Sequence, residues 1–178
     1  MRCADYAASG TPDVGANAVK ALEGRGAALV AKGLPAGPGG AKGQIVFTAA
    51  DAVAWTKAGK KVILVREETN PEDVEGMRAA VGILTARGGM TSHAALVARG
   101  WGKPCVVGCD AIRIDEKAGT ITIGDKTVKV GEYLTIDGAT GEVMLGQVST
   151  VAPTISGDFA VLMGWADKVR TLKVRTNA

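Results

Sequence analysis

One histidine, three cysteines, three tryptophans, two tyrosines and two phenylalanines are all that 178 residues supply of those types. Each scarcity excludes something. A single His rules out a histidine-rich metal site. Cys105 and Cys109, with three residues between them, make a poor zinc half-site with no second half. An odd cysteine count argues against a disulfide framework and for a reducing compartment. The net charge is only +3, the basic residues are dispersed and aromatics reach just 4%, so nothing reads as a nucleic-acid surface. No apolar run approaches the ~20 residues of a membrane helix, and the start lacks a charged-then-apolar signal pattern. Glycine is the exception, at 25 residues. With many Val, Ile and Ala it fits short strands joined by tight turns, in a chain long enough for one domain of ordinary size or one domain with tails.

Read along its length, the chain divides into three. Residues 1–26 have weak periodicity and read as a connector. Residues 27–148 are densely patterned. Ala28–Ala31 is a short apolar strand, Pro35–Gly43 a Pro/Gly turn region and Gln44–Thr48 a second strand. The Pro35–Gly43 segment lacks the Gly-Lys-Ser/Thr ending of a nucleotide-binding loop. Asp51 is placed to cap a helix towards Lys57. Val62–Val65 is a buried-type strand. Asn70 caps a short helix with Pro71 first and Glu72 and Asp73 in its opening turn, which suits the helix dipole. Val81–Thr85 and Val106–Val107 are further strands. From Ala118 the pattern turns to hairpins: Ile121, Ile123, Val128, Val130, Leu134, Ile136, Val143 and Leu145 alternate at period two, with Gly124-Asp125 and Gly138–Gly141 as turns. In residues 149–178, Ser149–Gly157 reads as a linker. A helix follows with Phe159, Leu162, Met163, Ala166 and Val169 on one face, and Leu172–Arg175 opens a further strand.

The only histidine stands in Arg87-Gly88-Gly89-Met90-Thr91-Ser92-His93, where a Gly-Gly turn runs into a helix start. Imidazole is largely neutral, hence nucleophilic, near pH 7. Once phosphorylated it would carry a compact anion, and the first turn of a helix presents unpaired N–H groups to such an anion. Gly88 and Gly89 permit a tight turn and close approach of a phosphate-bearing group. Thr91 is the expected N-cap. Ala94, Val97, Ala98 and Trp101 form the buried stripe of the helix. Ser92 adjoins His93 in sequence, whereas a nucleophile–base pair is normally assembled by the fold. Two readings stay open at this level: His93 acts by itself as a phosphoryl acceptor, or it is a capping or surface residue. Ser92 either binds phosphoryl oxygens or solvates the turn. Arg87 and Arg99 either attract phosphates or are surface charges. Arg66, Glu67, Glu68 and Pro71–Asp73 shape the rim, and Cys105 and Cys109 are small buried residues.

The run Val62–Cys109 resembles the phosphohistidine domain of the pyruvate, phosphate dikinase family, one branch of the phosphoenolpyruvate-utilising enzymes. The shared core is Gly88-Gly89-x-Thr91-Ser92-His93. Met90, the upstream Pro71-Glu72-Asp73 and the downstream Gly108-Cys109 point to the dikinase branch, and Gly157-Asp158-Phe159 through Ala178 resembles its connector. Synthases and the enzyme I of the sugar phosphotransferase system usually carry Arg at the position of Met90.

The resemblance implies an α/β fold: a swivelling β/β/α phosphohistidine domain with a β-hairpin subdomain from the Ile121–Leu145 hairpins and a C-terminal linker helix. It implies that His93 carries the phosphoryl group on Nε2, with Gly88, Gly89, Thr91 and Ser92 in support. No metal or cofactor is expected on this domain. Mg²⁺ and a monovalent cation are expected on partner domains: an ATP-grasp nucleotide domain upstream and a pyruvate/phosphoenolpyruvate-binding barrel that would begin near Leu172. The chain is then expected to be a fragment, short of full turnover alone. The whole enzyme would convert ATP, pyruvate and phosphate into AMP, phosphoenolpyruvate and pyrophosphate, as a homodimer in the cytoplasm, or in an organelle in some members. In some members the Thr equivalent to Thr91 is phosphorylated by a regulatory protein. That modification switches the enzyme off in those members, as like charge beside the acceptor would. No nucleic-acid or membrane partner is implied. The alternative is the carrier domain of a phosphoenolpyruvate synthase or another phosphoenolpyruvate-utilising phosphotransferase.

Overall fold

Gly33 alone separates two strands that stand at opposite edges of one sheet. In the computed structural model, which describes residues 29–148, 157–169 and 171, that sheet has eight strands. In chain order they are β1 (Leu29–Lys32), β2 (Leu34–Gly37), β3 (Gly40–Val46), β4 (Val62–Arg66), β5 (Gly82–Thr85), β6 (Cys105–Val107), β10 (Tyr133–Asp137) and β11 (Glu142–Leu145). Their spatial order is β1-β11-β10-β3-β4-β5-β6-β2. Laid flat, the outer strands would lie roughly 34 Å apart at about 4.8 Å per strand. A one-residue link spans only about 7 Å. The sheet must therefore roll until its edges meet. The turn between β10 and β11 ties the closure, because Gly33 N–H donates to Gly141 O and Gly138 N–H to Gly39 O, both at 2.8 Å.

The centre of the sheet, β3-β4-β5-β6, is parallel, and its flanks are antiparallel. Strands buried on both faces read as continuous apolar runs. Val62-Ile63-Leu64-Val65 of β4 is such a run, fully buried. Val62 and Leu64 face the outer layer, while Ile63 and Val65 face the interior of the roll. The outer layer holds helices α1 (Ala49–Lys57), α2 (Val74–Ala79) and α3 (His93–Trp101). They contribute Ala52, Met77, Ala94, Ala95 and Ala98 to the core on that side. Small residues bring these helices close. A Cβ on Gly76 would stand 2.4 Å from Ala49 Cα. The interior also takes Ile112, Ile121, Ile123 and Val128 from a second sheet, β7 (Ile112–Asp115), β8 (Thr120–Ile123) and β9 (Lys126–Lys129). Helix α4 (Gly157–Val169) closes the described chain. Among the described residues no helix is long and apolar enough to cross a membrane.

The α/β class holds, with four corrections. Pro35–Gly43 is not a turn region but β2 and the start of β3. Pro35 is admitted because β2 is an edge strand, where a missing N–H breaks no central ladder. The cap of α1 is Thr48, whose hydroxyl accepts the Asp51 N–H at 3.0 Å and donates to the Asp51 carboxylate at 2.7 Å. Asp51 is thus the partner of the cap, through its N–H and its carboxylate, and not the cap itself. The hairpins of residues 121–145 do not make one subdomain. β8–β9 belongs to the small sheet, while β10–β11 pairs with β3 and β1 in the large one. The buried stripe of α3 is Ala94, Ala95 and Ala98, with Val97 half-buried and Trp101 40% exposed. The connector 1–26, the linker residues 149–156 and the strand from Leu172 lie outside the described residues.

Candidate functional site

Parallel strands β4 and β5 end side by side, with Arg66 opposite Thr85. The segments leaving them form the two walls of the site. They stay in register beyond the strands, since Ala86 N–H donates to Arg66 O and Arg87 N–H to Glu67 O. Thr85 Oγ1 donates to Arg87 O at 2.6 Å, and Glu67 pairs with Arg87 at 3.0 Å across the exposed rim. Gly88, at φ +102°, then turns the chain in a conformation that side-chain-bearing residues rarely adopt. Gly108, at φ +61°, backs this turn so closely that a Cβ there would stand 2.6 Å from Gly88 O. Cys109 N–H donates to Thr85 O at 3.0 Å. The Gly108-Cys109 pair is thus part of the platform under the Gly-Gly turn.

The turn closes when Ser92 N–H donates to Gly89 O at 2.9 Å, and α3 starts one residue later than expected. Ser92, in extended backbone, is the N-cap, its hydroxyl accepting the Ala95 N–H at 3.4 Å. Thr91 is exposed and does not cap the helix. Ser92 takes the role because only the residue directly before the first helical turn can reach that N–H. Arg99 reaches back from α3 to staple the turn, through Nε to Ala95 O and a terminal nitrogen to Met90 O. Its guanidinium, like that of Arg87, is already engaged within the domain.

His93 is therefore the first residue of α3, half-buried, with Nδ1 3.0 Å from Thr69 Oγ1. Thr69 is itself 8% exposed and lies on the opposite wall, after β4. This contact spans 24 residues of sequence and carries no local signal, so the sequence reading missed it. A neutral imidazole has one N–H and one bare nitrogen. If Nδ1–H donates to the threonine hydroxyl, the bare, nucleophilic nitrogen is Nε2. In the turn before α3, Gly89 is open, with nothing within 4 Å of where a Cβ would stand. Met90, in the same turn, and Leu96, on α3, are 40% and 57% exposed.

Cys105 and Cys109 are buried, as expected. Burial pushes the Cys105 thiol up to about 12, against a smaller opposing pull from Arg99. Burial, and then Asp110, push Cys109 up to about 11. Neither supplies a thiolate near neutrality. Among the described residues no three His, Cys, Asp or Glu side chains converge, so these residues offer no donor set for a metal ion.

The family described as PEP-utilising enzyme, mobile domain, matches residues 58–141. Pyruvate, phosphate dikinase 1, chloroplastic, of Arabidopsis thaliana is 59% identical over 150 residues, which cover 84% of this chain and 16% of that protein. Pyruvate, phosphate dikinase 2 of Oryza sativa subsp. japonica is 59% identical over 150 residues, covering 84% of this chain and 17% of its own. The chain thus spans about a sixth of the length of these relatives. An NMR solution structure of an Enzyme I protein overlaps 61% of this chain and 36% of its own, at a TM-score of 0.34 and 22% identity. That likeness is too slight to bear on fold or function.

Proposed function

We propose, from the match of residues 58–141 to the family described as PEP-utilising enzyme, mobile domain, that His93 is the phosphoryl carrier of a pyruvate, phosphate dikinase. The observation that carries the reading is the Thr69–His93 contact, which occupies Nδ1 and leaves Nε2 unengaged by it at the start of α3. With the proton on Nδ1, the Nε2 lone pair forms the N–P bond while the bond from phosphorus to the leaving oxygen breaks. No proton has to leave the ring during attack. The ring becomes cationic as that bond forms, and Thr69 Oγ1 accepts its Nδ1–H throughout. The helix start favours the incoming negative charge. In-line transfer needs close placement rather than acid–base chemistry, which suits a carrier held by a stapled turn.

In this reading a pyrophosphoryl group from ATP reaches His93 and leaves AMP. Phosphate then takes the terminal phosphoryl as pyrophosphate, and phospho-His93 donates the remaining one to pyruvate. The two half-reactions belong to a nucleotide-binding domain and a pyruvate-binding domain of the same enzyme, between which a swivelling carrier would move. Magnesium, and the charged groups that clamp the phosphates, belong to those partner domains. Thr91, exposed two residues before His93, is a candidate for regulatory phosphorylation. The compartment implied is the cytoplasm or an organelle with the same pyruvate chemistry.

The test is intact mass at alkaline pH, after mixing the chain with a pyruvate-binding domain, phosphoenolpyruvate and Mg²⁺. One acid-labile phosphoryl adduct is expected, absent in His93→Ala. No adduct on a folded chain, even when fused to an active partner domain, would overturn the reading. Pyrophosphate formed only when phosphate is supplied with ATP and pyruvate identifies a dikinase. Turnover without pyrophosphate identifies a synthase.

A further inference from the structure

On the premise that the Thr69 hydroxyl accepts the Nδ1–H of His93, it can hold that tautomer only if its own position is fixed, and the structure shows what fixes it. Four residues, Glu67 to Asn70, span from the end of β4 to the one-turn 3₁₀ helix Pro71–Asp73. Each end of that span is anchored by a charged side chain. At the far end, the 6%-exposed Asp73 carboxylate accepts the Asn70 N–H at 2.9 Å, and Asp73 N–H returns a bond to Asn70 O at 2.9 Å. At the near end, Arg66 donates through one Nη to Phe47 O at 2.9 Å and to Glu116 at 2.7 Å. Arg66 Nε lies 3.5 Å from the same Asp73 oxygen, without a hydrogen bond of its own. A buried carboxylate is costly unless it is paired and hydrogen-bonded. Asp73 has both partners, and each lies within four residues of the acceptor of Nδ1–H or in the strand that leads to it.

We infer that Asp73 and Arg66 are positioning residues, which hold Thr69 against Nδ1 and so, with its hydroxyl accepting the Nδ1–H, keep Nε2 the bare nitrogen of His93. Arg66 extends the hold to the small sheet through Glu116, in the turn between β7 and β8. Without the Asp73 tie, Asn70 N–H loses its acceptor and the Glu67–Asn70 segment keeps only its β4 end. The hydroxyl then no longer holds a fixed place, and the ring reverts to the mixed tautomers of an unconstrained imidazole. The purpose assigned to this network rests on the carrier reading, but its test does not.

Because the chain has one histidine, ¹⁵N-His labelling yields a single pair of ring-nitrogen resonances. In the unphosphorylated chain at a pH where the ring is neutral, Nδ1 should resonate as the protonated nitrogen and Nε2 as the bare one. Thr69→Val, the direct control, should move both towards the averaged positions of a free imidazole. Asp73→Ala should do the same. Asp73→Asn, which can still accept the Asn70 N–H, should keep the parent pattern. Arg66→Gln should fall between. If Thr69→Val shifts the resonances while Asp73→Ala and Arg66→Gln, both folded by amide spectra, leave them unchanged, the positioning role is refuted and the carrier reading stands. If Asp73→Ala does not fold, Arg66→Gln and Asp73→Asn decide it: an Arg66→Gln pattern identical to the parent refutes the role. If Thr69→Val changes nothing, the Thr69 contact fails and this inference falls with it.

Discussion

Gly88 and Gly89 stand side by side, yet the structure demands glycine at only one of them. Gly88 has φ +102°, and a Cβ there would meet Ser92 Cβ at 3.0 Å. Alanine at this position should cost about 1–3 kcal/mol from backbone strain alone. Gly89 lies outside the left-handed region and has nothing within 4 Å of a would-be Cβ. Gly89→Ala should therefore stabilise the domain by about 0.4–1 kcal/mol, through the unfolded state. That raises Tm by roughly 1–4 °C for a chain of this size. If the bare backbone of Gly89 serves an approaching phosphoryl donor, the added methyl holds the donor off. A displacement of about 1 Å can cost on the order of 100-fold in rate. Gly89→Ala should thus be more stable and much slower, whereas Gly88→Ala should be less stable. Differential scanning calorimetry gives the first quantity, and acid-labile label incorporated from phosphoenolpyruvate through the partner domain gives the second. A Gly89→Ala chain that melts higher and transfers at the parent rate would refute the functional use of this position. One that melts several degrees lower would refute the reading of its open surroundings.

Gly138→Ala should prevent closure of the rolled sheet, since its Cβ would stand 1.7 Å from Gly37 O, a backbone atom that cannot rotate aside. The loss should reach or exceed the ~3 kcal/mol at the upper end of ordinary overpacking, visible as a missing or much lowered circular-dichroism melt. Ser92→Ala removes the cap of α3. With a 3.4 Å bond it should cost near the lower end of the usual range, about 0.5–1 kcal/mol by urea unfolding. Cys105 and Cys109 should resist a thiol reagent at pH 8 until the chain unfolds. Their folded pKa values, about 12 and about 11, lie above the ordinary 9.0, so the stability they contribute is complete below pH 9 and is lost as pH rises towards 11–12. Lys103, lowered by burial and then by Arg78, runs the other way, so the readout is the difference between the parent and Cys105→Ala/Cys109→Ala across that range. An alkaline slope identical in the two chains would contradict the assignment.

What was legible in the sequence was local. The Gly-Gly turn, the helix after it, the continuous run of β4 and the alternation of the hairpins all follow from spacing within a dozen residues. What was missed depends on partners distant in sequence. Pro35 reads as a turn until β2 is seen to be an edge, and edge status is a property of the whole sheet. The period-two pattern of residues 121–145 is correct, but alternation does not say which sheet a strand joins. Thr48 and Asp51 are both good capping residues, and they act as a pair in which Thr48 is the cap. Thr91 and Ser92 are also both good caps; a shift of one residue at the helix start decided between them. Thr69 is the clearest case. Nothing in Glu67-Glu68-Thr69-Asn70 marks a threonine for a histidine 24 residues on, and only the pairing of β4 with β5 brings the two walls together.

The most direct test of the central claim is the site of attachment itself. With ¹⁵N-His in the single-histidine chain, phosphorylated from phosphoenolpyruvate through the partner domain, a one-bond ¹⁵N–³¹P coupling should be seen on Nε2. Nδ1 should keep its proton against Thr69. A coupling on Nδ1, or a phosphoryl adduct with no coupling to either ring nitrogen, would contradict the account.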